Sequence, residues 1–191
     1  MGTPVVSIIV AFVVGLLALG PYKSWNQLVN VVTGATAIMY AFAPISLAAL
    51  RNVDRERERS YRTPMPALVL PAAFCSANLI IYWGGFPTTW KLAAAMLVGL
   101  VLFAIGAARS GSNAMRTLKN AIWIAPWFAG LVILGYIGRY GDGVKNIMPE
   151  WIDILAVVVF SLIIFYWSTS VALAPEAAKA AIAKDAFQLA E

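Results

Sequence analysis

Few side chains in this sequence have chemistry to offer. The chain has no histidine and a single cysteine, Cys75, so an internal disulfide is excluded and no zinc or haem site is expected. No Asp or Glu sits at the centre of an apolar run, which leaves an intramembrane enzyme without an acid, a metal or an activated nucleophile. What remains is one constellation: Thr33, Gly34, Ala35 and Thr36, followed by Tyr40 and Pro44. Small residues let helices approach backbone to backbone, hydroxyls hydrogen-bond a solute or a neighbouring helix, and Pro44 frees the carbonyl of Tyr40. Two readings stand for Thr33, Gly34, Thr36 and Tyr40: ordinary helix packing, or a face lining a polar pathway.

The elements that must position these residues are six apolar runs separated by short polar breaks. They cover Val5–Gly20, Leu28–Leu50, Pro64–Trp83, Leu92–Ala108, Ala121–Ile137 and Ile152–Leu173. A spanning helix needs roughly 17 to 25 such residues. Without water in the hydrocarbon core each run must satisfy its own backbone, so the fold class is all-α, a polytopic membrane protein with six transmembrane helices. A mean hydropathy of +0.79 agrees, being outside the range of a soluble domain. Val5–Gly20 has no basic leader and no small-residue cleavage site after it, and reads as a spanning helix rather than a signal peptide. Residues 174–191, Ala-rich with Lys179 and Lys184, read as a cytoplasmic tail.

Orientation follows from the division of basic residues between alternate loops. One side collects Arg51, Arg55, Arg57, Arg59, Arg62, Arg109, Arg116, Lys119, Lys179 and Lys184; the other holds Lys23, Lys91, Arg139 and Lys145. The basic side is expected to be cytoplasmic, with both termini on it and the protein in the plasma membrane. Alternating signs from Arg55 to Arg59 argue against a nucleic-acid partner and for a solvated loop, with a lipid-headgroup contact as the alternative.

Aromatic side chains read as interfacial anchors: Tyr22, Trp25, Tyr82, Trp83, Trp90, Tyr136, Tyr140 and Trp151 on the outer side, Trp123, Trp127, Tyr166 and Trp167 on the inner. Gly84 to Pro87 and Gly141 to Gly143 predict external turns, and Ser110 to Asn113 an internal one. Asn78 reads as an interhelical hydrogen-bond partner. Asp153 reads as a first-turn carboxylate favoured by the helix dipole, with a proton relay as the alternative. Pro71 and Pro126 are expected to kink the third and fifth helices.

Several short motifs carry a family resemblance. Gly2-Thr3-Pro4 leads into an apolar helix, Ala43-Pro44 is followed by Ala48-Ala49-Leu50-Arg51, and the charged loop closes on Tyr61-Arg62-Thr63-Pro64. Ala77 to Trp83 and Phe165-Tyr166-Trp167 continue the pattern, so that nearly the whole chain resembles the C-terminal part of bacterial amino acid permeases of the amino acid, polyamine and organocation superfamily. The resemblance implies the inverted-repeat fold of the leucine transporters, with the substrate held between discontinuous helices near the midplane. It makes the first two runs the ninth and tenth helices, places the main substrate-binding helices upstream of Met1, and makes the last two runs an appended pair. It implies secondary active amino acid transport, proton-coupled, with Thr33, Gly34, Thr36 and Tyr40 beside the pathway. The lipid bilayer, an amino acid substrate and H+ are the expected partners, with no cofactor. The competing reading is a six-helix scaffold or partner subunit without transport activity of its own.

Overall fold

The computed structural model describes residues 24–53, 63–110, 121–149 and 151–171, together with Val5, Ile8, Ile9, Phe12, Val13, Gly15 and Leu16, which are helical. The rest of the first predicted run, the Arg-rich loop 54–62, the internal turn at 111–113 and the tail 174–191 lie outside the described residues. The described part is all-helical. Five helices follow in order: α1 (Trp25–Val53), α2 (Pro66–Trp83), α3 (Phe86–Ser110), α4 (Ile124–Ile137) and α5 (Ile152–Ser170).

Four of them, α1, α2, α3 and α5, are long and apolar enough to cross a membrane. The shorter α4 has 14 residues, about 21 Å at the helical rise, against a hydrocarbon core of about 30 Å. The expected six spans are therefore represented by four spanning helices and one short apolar helix among the described residues. Pro44 and Pro71 lie inside continuous helices. Pro126 is the third residue of α4, in the first turn, where its missing N–H has no intrahelical partner to lose, so it does not break that helix midway.

Packing is set by one face of each helix. On α1 the buried positions are Gly34, Ala37, Ile38, Ala41, Pro44 and Ile45, the three-and-four spacing of a helix facing its neighbours on one side. Ala37, Ile38, Ala41 and Ile45 join Phe74 and Ile81 of α2, Trp127 and Leu131 of α4, and Ile164 and Phe165 of α5 in one core. Helix α1 packs most extensively on α2, and α2 on α5, while α3 leans on α4 and α1. The outer face of α3 is apolar, with Leu97, Val98, Val101 and Leu102 exposed.

The α2–α3 turn is two residues long, Gly84 and Gly85. It is fastened to the α4–α5 loop: Phe86 N–H donates to the Tyr140 carbonyl at 3.0 Å. Gly85 (φ +84°) and Gly141 (φ +99°) meet there in left-handed backbone, where a Cβ on Gly85 would come within 3.2 Å of the Gly141 Cα.

At Gly34 a Cβ would stand 2.5 Å from Leu92 Cδ1, so α1 touches α3 through bare backbone. Gly34→Leu is expected to destabilise the protein by about 1–3 kcal/mol through overpacking. Gly99→Leu, at a position with nothing within 4 Å, is expected to change stability by less than about 0.5 kcal/mol. Thermal unfolding of the two variants in the same detergent checks the contrast.

Candidate functional site

The four predicted pathway residues divide between two faces of α1. Gly34 is buried against Leu92 and Thr88, and serves packing. Thr33, Thr36 and Tyr40, at i, i+3 and i+7, share the opposite face and are exposed, Tyr40 by 64%. The Thr36 hydroxyl donates back to the Val32 carbonyl at 2.9 Å, which settles its proton within the helix and leaves its lone pairs outward. The structure thus brings three of the four together as a hydroxyl stripe and separates the glycine from them.

The interior holds a polar network of a different kind. Trp127 Nε1 donates to Asn78 Oδ1 at 2.9 Å, and Asn78 Nδ2 donates to Ser161 Oγ at 2.9 Å. Ser161 in turn donates to the Val157 carbonyl at 2.6 Å. Trp127, Asn78 and Ser161 are each fully buried, so α2, α4 and α5 are joined by side chains with no access to water. The expectation for Asn78 is met, with both ends of its amide used.

One turn further along α2, Tyr82 donates its hydroxyl to Asp153 Oδ2 at 3.0 Å, and Arg139 Nε lies 3.2 Å from the same oxygen. Asp153 Oδ1 accepts the Ile154 N–H at 2.8 Å in the first turn of α5. The first-turn reading of Asp153 therefore holds, and the side chain is also tied to α2 and to the α4–α5 loop. Arg139 further donates to the Met148 carbonyl at 3.4 Å. A carboxylate held by a guanidinium and a phenol is arranged for fixing three helix ends.

Three assigned anchors need correction. Tyr82, Trp123 and Trp127 are buried rather than interfacial, with Trp127 at 0% exposure inside rings from Phe42, Phe74, Trp123 and Phe128. Their signal in the sequence is spacing: Trp123, Trp127 and Leu131 recur every four residues on the face α4 turns to the core.

The cavity between α3 and α4, about 400 Å³, is lined by Ala93, Met96, Leu97, Ile124, Phe128 and their apolar neighbours. Such a lining offers no donor or acceptor to an ammonium or a carboxylate. Among the described residues no three His, Cys, Asp or Glu side chains converge on a metal position. Polar groups open to a solute lie on the exposed stripe of α1 and at the ends of α1, α2 and α5, where Arg51 and Asn52 line a second cavity.

The chain is a multi-pass α-helical membrane protein. It is similar to the aspartate-proton symporter of Bacillus subtilis (strain 168), 32% identical over 180 residues that make up 93% of this chain and 34% of the relative. It is also similar to the glutamate/serine transporter AimA of the same organism, 23% identical over 168 residues, 87% of this chain and 31% of the relative. Both names describe transporters rather than enzymes. The chain spans about a third of the length of the curated relatives it matches. No family model matches it, and no solved structure matches it.

Removing one partner of a buried ion pair leaves the other uncompensated, and the quarter exposure of Arg139 softens that cost. Asp153→Asn is expected to destabilise by about 1–3 kcal/mol. Adding Arg139→Gln to it is expected to recover part of the loss, a coupling that a double-mutant cycle on detergent unfolding midpoints measures directly.

Proposed function

We propose that this chain is part of a proton-coupled amino acid transporter of the amino acid, polyamine and organocation superfamily, supplying scaffold helices and one wall of the substrate pathway. The observation that carries the reading is the similarity to an aspartate-proton symporter across 93% of the chain. The substrate is an amino acid, the coupling ion is H+, and the parts of the relative beyond this third of its length bear the principal substrate contacts. The fold is of the inverted-repeat type, with six spans in the plasma membrane counted by adding the run at 5–20 and the α4 region to the four long helices. The excess of Arg and Lys on the side of Arg51 supports cytoplasmic ends for the chain.

The division of α1 supports the assignment of roles. Its buried face, with Gly34, holds it to α2 and α3, and its hydroxyl face is left for the substrate path. In this arrangement Thr33, Thr36 and Tyr40 exchange hydrogen bonds with the solute or its hydration water as access alternates, while the network at Asn78 and Asp153 keeps α2, α4 and α5 moving as one body.

The direct test is a chimera in which the matching segment of the Bacillus subtilis symporter is replaced by this chain. Proton-driven aspartate uptake is expected to persist. Thr33→Val with Thr36→Val is expected to reduce it about tenfold, the worth of one or two hydrogen bonds at about 1.4 kcal/mol. The chain alone in proteoliposomes is expected to accumulate no aspartate under an imposed proton gradient, and accumulation there would overturn its role as one part of a larger transporter. A chimera that reaches the membrane and binds aspartate, yet transports equally well with and without both hydroxyls, would favour a pure scaffold.

A further inference from the structure

The end of the bundle opposite Asp153 carries an unfinished polar arrangement. Arg51, in the last turn of α1, has its Nε buried with no hydrogen-bond partner. The guanidinium lies at a cavity of about 320 Å³ between the ends of α1, α2 and α5, with Asn52, Leu70, Phe165 and Thr169 also in its wall. The Thr169 hydroxyl already donates into its own helix, to the Phe165 and Tyr166 carbonyls at 3.0 Å each. The donors left to a ligand are therefore those of Arg51 and Asn52. A buried N–H on a charged group is costly to leave unmet, and a guanidinium is shaped to meet two oxygens of a phosphate at once.

A second cavity, about 410 Å³, continues from the first and shares Ala67, Pro71 and Tyr166 with it. It follows the groove between α2 and α5 as far as Leu79 and Val158. From Ala67 to Leu79 is about 18 Å at the helical rise, a little over half of an about 30 Å hydrocarbon core. Two of the polar groups along it bond to backbone carbonyls: Ser76 Oγ donates to the Ala72 carbonyl at 2.9 Å, and Cys75 Sγ to the Val158 carbonyl at 3.8 Å, and most of the remaining lining is apolar. The groove therefore presents hydrocarbon to whatever fills it. A cation at one end and one leaflet's depth of apolar groove at the other match a phospholipid in both chemistry and length, and a free phosphate in only the first.

We propose that this composite groove binds an anionic phospholipid, with the headgroup phosphate on the Arg51 guanidinium and an acyl chain along α2 and α5. The bound lipid pairs the accessible part of the guanidinium and fills the seam between α2 and α5.

Native mass spectrometry of the purified 191-residue chain, titrated with phosphatidylglycerol or with phosphatidylcholine of the same acyl chains, reads the site out. The expected result is a retained phosphatidylglycerol adduct, preferred about tenfold over phosphatidylcholine, whose choline ammonium offsets the phosphate charge that both headgroups present to Arg51. Arg51→Gln is expected to abolish the preference. Ala67→Phe, which blocks the exposed mouth of the groove while keeping the charge, is expected to weaken retention of both lipids. Three results would overturn the proposal: an unchanged preference in Arg51→Gln, unchanged retention in Ala67→Phe, or thermal stabilisation by inorganic phosphate alone equal to that given by phosphatidylglycerol.

Discussion

Asn78 accepts the indole N–H of Trp127 and donates its amide to Ser161, and these two bonds fix how three helices face one another. In hydrocarbon no water is at hand to replace a lost partner, so a buried amide must find its donor and acceptor on neighbouring helices. Rotating α2, α4 or α5 about its axis would leave an unpaired group. The same requirement is met one turn away by Tyr82, Asp153 and Arg139. Trp127 extends the constraint to α1 through the Phe42 ring, 5.6 Å from its own in an edge-on contact.

Once α2, α4 and α5 are fixed in this way, α1 has one way to pack. Its Gly34, Ala37, Ala41 and Ile45 go inward, and Thr33, Thr36 and Tyr40 go outward. The polar residues of the chain thus fall into two groups with different work. Those around Asn78 and Asp153 bond one another and join α2, α4 and α5. Those on the α1 face have no hydrogen-bond partner on another helix among the described residues, and Thr36 bonds back into its own helix.

Much of the architecture was legible because apolar runs and helices end for the same reasons. Runs predicted at Pro64–Trp83 and Ile152–Leu173 match α2 (Pro66–Trp83) and α5 (Ile152–Ser170) closely, bounded by Gly84 and Gly85, by a proline and by polar residues. The start of α3 was missed by six residues, since the sequence reading began at Leu92 and the helix begins at Phe86. Thr88, Thr89 and Lys91 interrupt hydropathy without interrupting the backbone, and Thr89 Oγ1 donates to the Gly85 carbonyl at 3.1 Å inside the helical turn. The candidate stripe was recognisable from residue type, but its split into a packing glycine and an outward hydroxyl face needed the neighbours of α1. Tyr82 and Trp127 were misassigned because an aromatic ring near a run's end looks the same whether it meets headgroups or an Asn far away in the chain. The Arg139–Asp153 pair was likewise invisible to local pattern, as the two residues lie in a loop and the following helix.

In the proposed transporter α1 turns a hydroxyl face to an aqueous path and a small-residue face to the bundle. The most direct test is a cysteine scan along α1 in a Cys75→Ala background, made in the assembled transporter and read with a membrane-impermeant thiol reagent. The claim predicts reaction at positions 33, 36 and 40 and protection at 34, 37 and 41, with added substrate slowing the reactive set. Uniform protection of positions 33, 36 and 40, or labelling that substrate leaves unchanged, would contradict it.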